Sequence, residues 1–190
     1  MASFRSIIGL PPSKPSVDDS VLLIIDAQNE YATGKLAISN VESSRPVIAS
    51  VLQKYRAAKA PVIHIVHQTP QGAPVFTPDT DLAEEFDELK PQQGEHLVKK
   101  QAPGSFTGTQ LLDLLKDTGR NKVVVTGYMA HVCVSMTSRQ AAESGFDVSI
   151  VEDAVGDRDI PGVKADELTR VALAELADAV GTVVQSKDIN

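Results

Sequence analysis

Six short apolar runs, most of them separated by segments of helical periodicity, constrain the fold of this chain more than any other feature of its sequence. Residues 21–25 (VLLII) are continuous and β-branched, as in a strand buried on both faces. Residues 43–60 carry Val47, Ile48, Val51, Leu52 and Tyr55 at helical spacing, with Pro46 near the helix start. Pro61 opens a second strand, PVIHIVH, and residues 96–100 form a short third one. Three more strands are predicted at 122–126 (KVVVT), 146–151 (FDVSIV) and 180–184 (VGTVV). Helices are predicted at 109–116, closed by Gly119, and at 132–143 and 164–176. Strands that alternate with helices imply βαβ units with right-handed crossovers. The predicted fold is a single three-layer α/β, Rossmann-like domain over 1–190, with a mostly parallel sheet of about six strands and helices on both faces.

Residues 69–95 stand outside this rhythm. Their scattered Pro, Gly and acidic residues read as a long loop, and a long loop in a compact domain is more often functional than idle. Within it, DLAEEFDELK reads as a solvated helix face, part of a lid. The formal net charge of −7 argues against nucleic acid, whose binding needs a basic footprint. An anionic substrate would therefore depend on positive charge supplied by the site itself. No run reaches the roughly 18 apolar residues that a membrane span needs. The N-terminal stretch MASFRSIIGLPPSKPS has a short apolar patch broken by prolines and lacks a secretory cleavage pattern. The cytoplasm is the default location, with export by a route that needs no signal peptide left open.

In open sheets of this type, ligands sit beyond the carboxyl ends of the strands, near the point where strand order reverses. Asp26 directly follows the first strand, Lys100 ends the third, and Cys133 follows the fourth across a short turn. Singly, each has an ordinary reading: a helix cap or turn for Asp26, a solvated surface charge for Lys100, a small core hydrophobe for Cys133. The chain has one cysteine, so no internal disulfide competes for it. At the start of a helix, its thiolate would be favoured by the helix dipole. Together, an acid, a cation and a thiol can divide the work of nucleophilic catalysis: Asp26 removes a proton, Cys133 attacks and Lys100 holds the developing charge.

The segments LLIIDAQNEY, HLVKKQAPGSFTGTQL and VVVTGYMAHVCVSMTSRQAAESGFDVSIVEDAVGD, followed by a last helix and strand, resemble the isochorismatase-like hydrolase family over nearly the whole chain. The resemblance selects Lys100 over Lys99, because Phe106 follows at the family distance. It implies a cis peptide at Tyr128–Met129, with backbone N–H groups near Met129 and Cys133 turned toward an oxyanion. It also implies a homo-oligomer, a dimer or tetramer. Two chemistries compete within the family. Amidases of the nicotinamidase and ureidoacrylate-hydrolase type form a thioester on the cysteine. Isochorismatases cleave the vinyl ether of isochorismate, with the aspartate as proton donor and a glycine usually at the cysteine position. GYMAHVCV resembles the isochorismatase turn, and amidases commonly have threonine where Ala130 stands. Asp26-Ala-Gln28 with Tyr31 resembles the isochorismatase acid motif, and Gln68 falls where those enzymes place a substrate-binding glutamine. Cys133 departs from their glycine and restores the amidase triad. The leading expectation is isochorismatase activity on a small anionic substrate, with a cysteine amidase as the alternative.

The resemblance makes Gln28, Tyr31, Gln68, Phe106, Met129 and His131 the expected substrate contacts, beside a catalytic Asp26, Lys100 and Cys133. His64 and His67 are three apart on a predicted strand, which points them to opposite faces. With no third ligand nearby, and no Asp-x-His element of the metal-dependent nicotinamidases, neither a metal nor any other cofactor is expected. Both histidines read as core or edge residues. Gly104 and Gly108 suit the tight turn after Lys100. Asp153 and Asp157 read as structural, through turn and helix-cap bonds.

Overall fold

The computed structural model describes residues 1–190. Its elements in chain order are α1 (Phe4–Ile7), β1 (Ser20–Ile25), α2 (Glu30–Thr33), α3 (Val41–Ala57), β2 (Val62–His67), β3 (His96–Lys100), α4 (Leu111–Asp117), β4 (Lys122–Tyr128), α5 (Ser135–Glu143), β5 (Asp147–Gly156), α6 (Ala165–Ala179) and β6 (Thr182–Val184). Six strands form one sheet in the order β3-β2-β1-β4-β5-β6, and every pairing is parallel. The order reverses between β1 and β4, so the switch point lies where these two strands end.

The continuous apolar character of β1 is explained by burial on both sides. Leu22 and Ile24 face a core that includes Ile48, Val51, Leu52 and Tyr55 of α3. Val21, Leu23 and Ile25 face the opposite core, with Leu111 and Leu115 of α4, Ala141 of α5, and Leu173 and Leu176 of α6. Each fully buried aliphatic side chain contributes about 1.5–3 kcal/mol of transfer free energy. The predicted three-layer α/β fold is the observed one. No helix is long and apolar enough to cross a membrane.

Several boundaries differ from the sequence reading. β4 and β5 run further than predicted, to Tyr128 and Gly156, because a bulge between Val125 and Gly127 shifts their register without ending the ladder. The helix predicted from 132 begins as a π-helical turn, Ala130–Val134, and becomes α-helical at Ser135. DLAEEFDELK is not a solvated helix face. It forms two single turns of 3₁₀ helix that bury Phe86 and Leu89 completely and nearly bury Glu85. The alternation of acidic and apolar residues there follows the irregular backbone, not a helical period.

Glycine is compelled at one position beside the site. Gly127 has φ +110°, and a Cβ there would lie 1.9 Å from the Ile25 carbonyl oxygen. This close approach brings the end of β4 against the end of β1.

Candidate active site

Asp26 leaves β1 in the left-handed region at φ 50°, a conformation that aspartate tolerates better than most residues. Its N–H donates to the Ile65 carbonyl of β2, and its own carbonyl accepts from the Gln28 N–H. The carboxylate is thereby turned inward and is fully buried. Lys100 ends β3 in register with His67 of β2 and reaches the same point with 1% exposure. Its Nζ lies 2.7 Å from Asp26 Oδ2, a close ion pair without hydrogen-bond alignment, while Asp26 Oδ1 has no partner. The ammonium also donates to Cys133 Sγ at 3.4 Å. The structure thus gathers Asp26, Lys100 and Cys133 from three strand ends into one shielded cluster.

Burial raises the Asp26 carboxyl above the ordinary aspartate range, and the Lys100 charge beside it only partly pulls it back. Cys133 sits in the π-helical turn, not at the first turn of a regular helix, and there burial dominates. With the Asp26 charge, burial pushes the thiol far up, against the lowering effect of Lys100. Burial thus works against the thiolate that a helix dipole would favour.

The Tyr128–Met129 peptide is cis. In the turn that follows, the His131 N–H donates to Asp157 Oδ2 at 3.0 Å, and the Val132 and Val134 N–H groups donate to the Met129 carbonyl. The His131 ring lies 2.6 Å from the same Asp157 oxygen through Nδ1, with its side chain about one-quarter exposed. Asp157 is thus structural, as expected, and also orients the residue expected to contact substrate. The Tyr128 hydroxyl is engaged with Ser44 at 2.7 Å, and Met129 is buried.

Tyr31 packs edge-on to Phe76 at 5.2 Å and beside Tyr128 at 5.7 Å. Burial, and then the charges of Asp26 and Cys133, hold its phenol well above the usual range. Phe106 packs against the same apolar cluster that contains Cys133, and its N–H donates to Gln140 Oε1. Gln68 is exposed and lines a cavity of about 250 Å³ with His67, Phe76, Glu84, Glu85 and Lys99.

Gln28 requires a correction. Its Oε1 accepts the His67 N–H, and its Nε2 donates to the His67 and Ala83 carbonyls. Fully buried, with both amide hydrogens committed to backbone, it is a clamp between β2 and the long loop and not a substrate contact.

Two histidines carry more than the sequence indicated. His64 is buried between Glu85 at Nδ1 (2.9 Å) and Glu95 at Nε2 (3.0 Å), and Glu95 is also gripped by Arg56. This network ties the long loop to the sheet. His67, read as a core or edge residue, has Nδ1 3.1 Å from Lys100 Nζ. The pairing register alone could have found it, because residues 67 and 100 end neighbouring strands. Phe76, at φ 45°, was missed as well. Its N–H donates to the buried Glu30 carboxylate, and its ring closes over Tyr31 and His67. No three His, Cys, Asp or Glu side chains are placed to hold a metal ion.

Comparison with known proteins gives consistent likenesses. Residues 20–188 match the family model of the isochorismatase domain. The chain is 63% identical to the secreted isochorismatase effector Isc1 of Verticillium dahliae, over 100% of both chains. It is 27% identical to the ureidoacrylate amidohydrolase RutB of Serratia proteamaculans, covering 67% of this chain and 68% of that one. The crystal structure of an isochorismatase from Pseudomonas putida KT2440 superimposes with a TM-score of 0.96 at 28% identity, over 100% of both chains.

Proposed function

This chain belongs to the isochorismatase family and is a hydrolase, and from that premise we propose that it cleaves the vinyl ether of isochorismate to pyruvate and 2,3-dihydroxy-2,3-dihydrobenzoate, with Asp26 as proton donor. One observation carries the reading. The Asp26 carboxyl is fully buried 2.7 Å from Lys100 with Oδ1 free of partners, and burial pushes both it and the Cys133 thiol beside it toward holding their protons. Such a site is better furnished to give a proton than to launch a thiolate.

The chemistry closes without a covalent intermediate. Asp26 protonates the terminal methylene of the enol ether, leaving an oxocarbenium ion at the ether-bearing carbon. The new carboxylate is stabilised by Lys100, 2.7 Å away. Water adds to the cation and returns a proton to Asp26, and the hemiketal collapses to pyruvate and the ring alcohol. On this reading His131, Gln68 and Tyr31 contact a small anionic substrate, with Phe106 and Met129 lining its apolar side.

A cysteine amidase is the alternative, favoured by the Lys100–Cys133 contact and by the likeness to an amidohydrolase. In that reaction Asp26 would take the thiol proton, and amides near Met129 and Cys133 would face the oxyanion. Cys133→Ala separates the two. Pyruvate release from isochorismate should stay within about fivefold of the parent, whereas ammonia release from small amides should vanish, as expected when a covalent nucleophile is removed. Loss of pyruvate release in that variant would defeat the acid mechanism.

Two further proposals rest on likeness. A homo-oligomer, dimer or tetramer, is proposed from the family resemblance, and a monomer in sedimentation equilibrium would contradict it. Export beside the cytoplasmic default is supported by the name of the Verticillium relative. Its test is detection of the protein in culture filtrate that lacks a cytosolic marker.

A further inference from the structure

Lys100 has more neighbours than hydrogens. Its Nζ lies within reach of Asp26 Oδ2 (2.7 Å), His67 Nδ1 (3.1 Å), the Ala102 carbonyl (3.2 Å) and Cys133 Sγ (3.4 Å). An ammonium has three hydrogens and no lone pair. The rotation of the group about its final bond thus decides how many hydrogens face the two reacting side chains. The Ala102 carbonyl is fixed by the backbone, which leaves His67 as the side-chain acceptor opposite Asp26 and Cys133.

His67 is itself held on several sides. Its backbone N–H and carbonyl are both taken by the Gln28 side chain, at 2.8 and 3.0 Å. Its ring lies against Phe76, with centroids 5.1 Å apart. The parallel register places it directly beside Lys100. Of the four partners of Nζ, His67 alone also lines the adjacent cavity.

We propose that His67 is a positioning residue that accepts a hydrogen bond from Lys100 at Nδ1 and so sets the ammonium orientation that Asp26 and Cys133 receive. The role rests on the reading of Asp26, Lys100 and Cys133 as the catalytic group, and it holds for either chemistry. It requires the neutral ring with its proton on Nε2, because a proton on Nδ1 removes the acceptor and sets two cations face to face. Burial, and then Lys100, hold the ring below the usual histidine range, while Asp26 opposes them. Asp79, Glu84, Glu85, Lys90 and Lys99 line the cavity beside the ring, with carboxylates and ammonium groups of both signs.

The test compares wild type with His67→Asn, whose amide oxygen can replace the Nδ1 acceptor, and His67→Leu, which keeps bulk without it. In wild type, kcat/KM should fall on the acid side, in a limb that lies below the reference histidine value of about 6.5. His67→Asn should keep activity within about fivefold at pH 7.5 and lose that acid limb. His67→Leu should lose about 10- to 100-fold, in kcat more than in KM, the range for a hydrogen bond to a charged group. In parallel, ¹⁵N shifts of the His67 ring in the wild-type protein should report the Nε2–H tautomer at pH 7. A charged ring or an Nδ1–H tautomer at pH 7 overturns the proposal. So does His67→Leu with wild-type turnover, or a folded His67→Asn as impaired as His67→Leu. Absence of pyruvate release from the wild type would count against isochorismate as substrate. The kinetic arm would then use the amide substrate, and the ring measurement would still decide the role of His67.

Discussion

At Asp26 the left-handed backbone, at φ 50°, and the buried ion pair with Lys100 meet in one residue, which makes its replacement informative. Asparagine occupies this region of backbone space as readily as aspartate, so Asp26→Asn removes the charge without forcing the main chain. What remains is an ammonium in a shielded cluster opposite a neutral amide. Removing one partner of a buried pair costs about 3–5 kcal/mol. We expect Asp26→Asn to lower unfolding free energy by about 3 kcal/mol and to reduce turnover by at least about 100-fold. Urea denaturation and steady-state kinetics measure the two, and a change of less than about 1 kcal/mol would refute the account of the pair. Asp26 and Lys100 stand where strands end and Cys133 in the turn after one, so the three could be picked out together, with the family resemblance needed to choose Lys100 over Lys99. The state of Cys133 could not be picked out. Whether a thiol near a helix start is activated depends on burial, and only the assembled turn shows that burial prevails.

Among the elements, the long loop departs furthest from its sequence pattern. The strands and major helices were legible because their periods are regular. Residues 68–95 have none, and their order comes from partners far away in the chain: Gln28, Glu30, Arg56 and His64. No local spacing announces that Glu85 and Glu95 bracket a histidine 21 and 31 positions earlier. This anchor has a pH signature. Burial alone would raise the Glu95 carboxyl, but hydrogen bonds from Arg56 and the Gln92 N–H, together with the Arg56 charge, outweigh it and draw it down from 4.5 to about 2. A carboxyl depressed on folding adds stability above its unfolded value, and that stability is lost as pH falls through the folded one. The gap in stability between wild type and Arg56→Ala should therefore be full above about pH 5 and shrink steadily toward pH 2. A gap that is constant across this window in denaturant titrations would exclude Glu95 as its source.

On the scale of the molecule, a net charge of −7 opposes an anionic substrate before any contact is made. Salt screens such repulsion over a Debye length of about 10 Å at 0.1 M. If isochorismate is the substrate, kcat/KM should rise by about two- to threefold between 10 and 150 mM ionic strength, with kcat unchanged. A fall over the same range would mean that the positive groups near the entrance steer the encounter instead. The cluster of Asp26, Lys100 and Cys133 has its own relation to solvent: Asp26 is 0%, Lys100 1% and Cys133 5% exposed. Such low exposure keeps the three groups out of bulk solvent, and the Phe76 ring, 4% exposed, packs against His67 beside them. With a single sulfhydryl in the whole chain, and that one inside, the rate at which a small electrophile captures Cys133 would be a clock for how seldom the interior is laid open, read against the same reagent on unfolded chain.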